Sequence, residues 1–173
     1  YEDHCLIGGK TYTSGQHGFA RDMEFICTEE TENSVTHLLE ATEETKKIWP
    51  YVFQLYITHT LNDRDLTVIW KVVNNDQETM YFTIGGHPAF NVPVIPGTVR
   101  DDYYLTFSGQ KELKYHLINP AYGTAIPEET YTLALEDGKC KIDAHMFDKD
   151  ALIFDEGQIT KAGIALPDGT PYV

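Results

Sequence analysis

Apolar and polar side chains alternate through most of the chain. In "YVFQLYITHTL" (51–61), Tyr51, Phe53, Leu55, Ile57 and Leu61 share one parity while Gln54, Thr58 and Thr60 take the other, the period of a half-buried strand. "NDRD" is a turn signal. "LTVIWKVVNN" (66–75) then resumes with Leu66, Val68, Trp70 and Val72 on one face and only Lys71 charged on the other, which predicts a second strand, more central than the first. Together they predict a hairpin. Similar runs at "MEFICT" (23–28), "SVTHLLEA" (34–41), "TMYFTI" (79–84), "DYYLTFS" (102–108), "ALIFD" (151–155) and "ITKAGIAL" (159–166) are separated by Asn, Asp, Gly, Pro or Ser clusters. No segment sustains helical spacing: "EETENS" and "EATEETKK" read as solvated hairpin tips and an exposed strand face, and "INPAYGTAIPEETYTLALEDGK" (118–139) as a long surface loop. The expected class is all-β with mostly antiparallel strands. So many strands need two packed sheets to hide their inner faces, so the architecture is a β-sandwich.

Composition narrows the function classes. The 173 residues, 42% hydrophobic and 12% aromatic, suit a single globular domain spanning 1–173. A formal net charge of -14 repels phosphate backbones and anionic lipid, so neither nucleic acid nor a membrane surface is an expected partner. A small neutral ligand suits that field better. No run approaches the roughly 18 consecutive apolar residues of a membrane span. "YEDHCLIGGK" lacks the basic-then-apolar order of a signal peptide, and a cytoplasmic protein is expected. Cys5, Cys27 and Cys140 are widely spaced with no C-x-x-C pair, and read as reduced, mostly buried thiols.

Seven histidines raise the question of a metal, but no H-x-H or H-E-x-x-H pair occurs and none is expected. His59 shares the apolar parity of its strand, His37 lies in an alternating run, and His4, His116 and His145 have polar neighbours. These five read as packed or solvated imidazoles. His87, in "TIGGHPAFNVP" (83–93), is different: Gly85 and Gly86 permit close approach or positive φ, and Pro88 pushes His87 toward an extended backbone. Following the predicted strand "TMYFTI", it would stand at a sheet rim beside Phe90 and Asn91, an aromatic wall and an amide suited to hydroxyl groups. "GQHGFARD" (15–22) is the second constellation, with His17 between Gly15 and Gly18 and Arg21 four residues on. Two such histidine turns fit a neutral polyol, which needs donors, acceptors and a group that moves a proton near neutral pH.

At these motifs the sequence resembles the aldose 1-epimerase (galactose mutarotase-like) family: "QHGFARDMEF", the "WPYVFQL" to "LTVIWKVVNN" hairpin, "IGGHPAFNVP" and "FDKDALIF" occur in the family's order along nearly the whole chain. The resemblance implies a β-sandwich of the galactose mutarotase (supersandwich) type, with a shallow sugar cleft, that exchanges the α and β anomers of a hexose. By that likeness His87 matches the general acid that protonates the ring oxygen, and His17 its partner histidine beside that oxygen. Arg21 matches a holder of hydroxyls or a carboxylate, and Asp150 an acidic residue that binds sugar hydroxyls. Asp148, with the same parity, competes for that last role, and Asn91 is the expected amide contact. The case requires His17 and His87 to converge on one concave surface.

Anomer exchange needs one base and one acid, so no cofactor is expected, and the partner is a small-molecule sugar, with a homodimer as a permitted assembly. The resemblance places the general base on a glutamate in a carboxy-terminal strand. The chain reaches "DGTPYV" before any such motif, and Glu156 in "DEGQ" does not match it. The first family strands are likewise expected to be missing. Two rivals share the fold: a non-catalytic carbohydrate-binding protein and a hexose-6-phosphate 1-epimerase. The second is disfavoured because the only arginines, Arg21, Arg64 and Arg100, are dispersed, whereas phosphate recognition favours clustered cations. A glycoside hydrolase would need two carboxylates flanking the scissile bond, where these motifs offer histidines.

Overall fold

The structure, a computed structural model, describes residues 4–173. Its chain divides into two compact units, the first ending at Gly85 and the second running Gly86–Val173. Among the described residues no helix is long and apolar enough to cross a membrane.

In the first unit, β1 (His4–Ile7) and β2 (Lys10–Thr13) form a hairpin. A four-stranded antiparallel sheet follows, with β3 (Ile26–Glu30), β4 (Ser34–Glu40), β5 (Phe53–Asn62) and β6 (Asp65–Asn74) in sequence order. The predicted hairpin is β5–β6, turning through Asp63 at φ +54°. Its register pairs Leu55 with Val72 and Ile57 with Trp70, while β4 sets Leu39 against Leu55. One face therefore carries the apolar row Leu39–Leu55–Val72, and Leu39, Phe53 and Leu55 are the buried centre of a cluster that Phe19, Met23, Trp49 and Met80 pack against. The opposite face carries cross-strand polar pairs: Thr36 and Thr58 hydroxyls at 2.9 Å, Ser34 and Thr60 at 3.1 Å, and Gln54 donating to Glu40 at 2.7 Å.

The position of β6 departs from expectation. It is the edge of this sheet and β5 is interior, with Leu66, Ile69 and Trp70 on β6 exposed. A near-continuous apolar run marks a strand that can be covered on both faces, but does not say where that strand sits in the sheet order. "TMYFTI" is also not a strand: residues 79–91 form no regular element, because a strand exists only where a partner ladder does.

"EATEETKK" contains a helix, α1 (Glu43–Ile48), where hairpin tips were expected. Thr42 and Thr45 exchange side-chain and backbone hydrogen bonds as a capping box, acidic Glu43 and Glu44 occupy the first turn, and Lys46 and Lys47 the last. The helix is too short to show an apolar period, and Thr45 is its one buried residue.

The second unit holds a three-stranded sheet of β12 (Lys139–Lys141), β7 (Tyr104–Phe107) and β13 (Ala162–Ala165), with β7 central. Two small pairs accompany it, β8 (Glu112–Tyr115) with β11 (Tyr131–Ala134), and β9 (Ile118–Asn119) with β10 (Thr124–Ala125). Residues 118–139 are thus not one loop, since β9, β10 and β11 lie within them. "ALIFD" forms only a single bridge, Ile153 with His116. The tight turn between Glu136 and Lys139 uses Asp137 and Gly138, both at positive φ, as a two-residue hairpin of Asp-Gly type requires. At Gly138 a Cβ would lie 2.7 Å from the Phe107 carbonyl oxygen.

Residues 143–150 make successive turns after the sheet. Asp148 N–H donates to the His145 carbonyl, Asp150 N–H to the Phe147 carbonyl, and His145 Nδ1 meets Asp148 Oδ2 at 2.7 Å. That hydrogen bond, then the charges of Asp148, Asp143 and Asp101, hold the His145 imidazole above its ordinary pKa. The three free thiols differ: Cys140 is buried, Cys5 half-buried and Cys27 exposed, the last against expectation, because β3 is an edge strand with every residue exposed.

Two outcomes follow from this packing. Leu55→Ala removes the centre of the apolar row and is expected to cost about 2–5 kcal/mol, and Gly138→Ala about 1–3 kcal/mol, both read from denaturant unfolding of the full-length protein. In an NMR titration the His145 midpoint should lie above that of an unpaired imidazole, and Asp148→Asn should lower it, removing the largest of the causes that raise it. The sign follows from the raised folded-state value: the ion pair's contribution is present below the unfolded-state pKa and lost as pH rises through the folded one.

Candidate functional site

The sequence-predicted residues fall into two sets. His17 and Arg21 stand in the first unit; His87, Asn91 and Asp150 stand in the second.

Gly15 and Gly18 close a turn through a 3.1 Å backbone hydrogen bond, and inside it His17 has φ +67°. A left-handed backbone is uncommon outside glycine, costs energy, and clusters at functional sites. Gly18 follows at φ +71°. The chain then enters a 3-10 turn over Ala20–Asp22 that carries Arg21, whose Nε lies 3.7 Å from Asp22 Oδ1 with both side chains well exposed. An ion pair so open to solvent holds the guanidinium only loosely.

The same turn walls a cavity of about 200 Å³ inside the first unit. Gly18, Phe19 and Ala20 meet Trp49, Phe53 and Phe82 there, and Ser14 and Thr83 supply the only hydroxyl side chains. The Phe19 and Phe53 rings meet edge to face at 6.0 Å. Such walls suit the apolar C–H face of a ring more than its hydroxyl rim. The sequence reading missed this cavity; the alternation of "YVFQL" put Phe53 on the inner face, but Phe19 and Phe82 come from irregular segments that carry no period.

His87 and Asn91 are both exposed in the irregular stretch 79–91. The positive φ allowed for at the two glycines is not used. Neither Gly85 nor Gly86 takes positive φ, and a Cβ at Gly85 would meet open space. The left-handed backbone belongs to His17 instead. Beyond Asn91 the chain passes the cis Val92–Pro93 peptide, and Tyr103, the residue before β7, holds what comes next: its oxygen accepts the N–H groups of Val94 at 2.9 Å and Ile95 at 3.0 Å.

Asp150 ends the 143–150 turns at φ +72°, exposed, with Oδ1 accepting the Ala151 N–H at 2.7 Å. Its second carboxylate oxygen is left for other partners. Asp148, the competing carboxylate, is engaged by His145. Glu156 occupies a left-handed position in an exposed turn.

His116 is buried, the packed rather than the solvated of the two outcomes expected for it, although its sequence neighbours are polar. Its Nδ1 lies 2.9 Å from the Glu129 carbonyl, which can only accept, so that nitrogen carries the proton; Nε2 faces Asp155 Oδ2 at 3.4 Å. This imidazole ties the segment before β11 to the one after "ALIF". Among the described residues no three His, Cys, Asp or Glu side chains gather as a metal site would.

The aldose 1-epimerase family model matches residues 4–124. Protein LacX of Lactococcus lactis subsp. lactis, in its plasmid form, is 32% identical over 141 residues, which are 81% of this chain and 47% of that protein. Among solved structures, a galactose mutarotase related enzyme from Lactobacillus acidophilus superposes with a TM-score of 0.86 at 31% identity, over 95% of this chain and 54% of that one. A galactose mutarotase-like protein from Lactobacillus casei gives 0.78 at 32% identity, over 96% of this chain and 57% of that one. The chain thus spans about half the length of the relatives it matches. Its all-β, antiparallel fold is that of the galactose mutarotase-like structures. With the match covering well over half of the chain, this sequence belongs to the aldose 1-epimerase family.

Proposed function

We propose that the protein carrying this chain is an aldose 1-epimerase that exchanges the α and β anomers of a neutral hexose in the cytoplasm. The observation that carries this reading is that one family match, residues 4–124, contains His17, Arg21, His87 and Asn91. In the reaction a proton leaves O1 of the sugar while another reaches the ring oxygen. The ring opens, rotation about C1–C2 exposes the other carbonyl face, and reversal of both transfers closes the second anomer. His87 delivers the proton to the ring oxygen. His17 hydrogen-bonds the sugar beside that oxygen, and its left-handed backbone supports a role that requires an aimed ring. Arg21, Asn91 and Asp150 bind hydroxyl groups, and the aromatic cavity beside the His17 turn offers a stacking face. The base is assigned to no residue of this chain.

A neutral substrate is favoured over a hexose phosphate. Arg100 is committed to the Ala144 carbonyl at 2.9 Å, and Arg64 stands in the β5–β6 turn, apart from the Arg21 motif.

Exchange NMR or polarimetry on freshly dissolved α-glucose and α-galactose, with the full-length protein, tests the reading. Wild type should accelerate equilibration, and His87→Ala should lower kcat by about 10²–10⁴-fold, roughly 3–5 kcal/mol of barrier. The kcat/KM profile should show a limb from an imidazole-like group, and a flat profile between about pH 5 and 9 would remove His87 as the acid. Saturable hexose binding with no acceleration would favour the non-catalytic carbohydrate-binding alternative, and a preference for hexose 6-phosphate the phosphorylated one.

A further inference from the structure

Tyr103 is fully buried, and its hydroxyl makes a complete, directed set of hydrogen bonds. The N–H groups of Val94 and Ile95 both donate to Oη. Thr98 Oγ1 lies 3.1 Å from Oη and 2.7 Å from the Ile95 carbonyl. Since a carbonyl can only accept, the Thr98 proton goes to Ile95, and the phenolic proton must go to Thr98. One donor and two acceptor positions of the phenol are thereby filled, and the loop 94–98 is closed around a buried oxygen.

The backbone of the same residue reaches the other way. The Tyr103 carbonyl accepts the Ile142 N–H at 2.9 Å, directly before the turns that end in Asp150, and Arg100 Nη2 donates to Ala144 at the head of those turns. Residues 79–91 have no sheet ladder of their own, and the tethered amides of Val94 and Ile95 follow Asn91 closely along the chain. Pro88 and Pro93 lock φ at two positions between His87 and Val94 and so reduce the soft dihedrals along which an anchor at Val94 could be lost.

We propose that Tyr103 is a positioning residue of the sugar site: through its hydroxyl it holds the His87–Asn91 segment, and through its backbone the Asp150 turns, so that acid and hydroxyl-binding groups share one anchor. This rests on the anomer-exchange reading for its functional consequence, while the anchoring itself is read without activity.

The test uses the full-length protein and two removals of the same network, Tyr103→Phe and Thr98→Val, with Thr98→Ser as the conservative control. Amide exchange measured by NMR or mass spectrometry should accelerate about tenfold or more at Val94 and Ile95 in Tyr103→Phe while β5 amides keep their wild-type rates. Displacing a reacting group by about 1 Å costs on the order of 10²-fold. Accordingly kcat per folded molecule should fall about 10- to 100-fold, KM by contrast moving little, with the midpoint of the imidazole limb unmoved. Thr98→Ser should retain wild-type kcat, and the double variant Tyr103→Phe/Thr98→Val should lose less than the product of the two single losses. A merely structural role would lower the melting temperature and leave kcat per folded molecule unchanged; that result overturns the proposal, as does wild-type exchange at Val94 and Ile95. Should Tyr103→Phe fail to fold, Thr98→Val decides by the same readouts. A wild-type protein that binds sugar without anomer exchange would defeat the proposed reaction alone; the amide rates of the variants at Val94 and Ile95 would then settle the anchor.

Discussion

The strand register of β5 is the constraint on which the first unit depends. Because side chains alternate across a pleated strand, a slip of one residue would turn Phe53, Leu55 and Ile57 from the core face to the face that now carries Thr58 and Thr60. Burying a leucine or phenylalanine stabilises by about 1.5–3 kcal/mol each, so the slipped state loses several such contributions at once. It also separates the Thr36–Thr58 and Ser34–Thr60 hydroxyl pairs. Everything that packs on that face, including Phe19 and Ala20 directly after the His17 turn, inherits its position from this register.

The β5–β6 hairpin was legible because alternation and register are the same physical fact seen in sequence and in space. The parities read in "YVFQLYITHTL" and "LTVIWKVVNN" are the pairs observed, Leu55 with Val72 and Ile57 with Trp70. What alternation does not encode is the partner on the far side. It could not tell that β6 lies at an edge, nor that "TMYFTI" has no ladder, since both depend on which strand comes alongside. The helix at Glu43–Ile48 was written in a different language, reciprocal threonine caps and charges ordered along the dipole, which a search for apolar spacing passes over.

The candidate site was legible as chemistry rather than as geometry. Histidines flanked by glycine marked both turns, yet the glycine freedom was credited to the wrong turn. Gly85 and Gly86 do not take positive φ, whereas His17 and Asp150, whose own side chains are the proposed ligands, are among the five described non-glycine residues that do, with Asp63, Asp137 and Glu156 in ordinary turns. A left-handed non-glycine residue leaves little trace in sequence, because histidine and aspartate tolerate it without requiring it. Tyr103 was hidden for a related reason. It sits in a strand-like run, and only the three-dimensional path of residues 94–98 shows its hydroxyl closing a loop.

No residue assigned to the sugar lies in a strand. His17 is in a turn, Arg21 in a 3-10 turn, His87 and Asn91 in an irregular stretch, and Asp150 at the end of consecutive turns. Sheet ladders distribute positional restraint over many hydrogen bonds, so losing one matters little. A residue outside them depends on a few local tethers, each of which carries a large part of the restraint. In the second unit the loop 94–98 and the Ile142 amide are tethered to the strand start at Tyr103, and β7 is the central strand of its sheet, fixed on both sides by β12 and β13. An irregular segment pinned to the best-restrained strand borrows that strand's rigidity. This places the anchor before β7 rather than at any edge strand nearer to the imidazole in sequence.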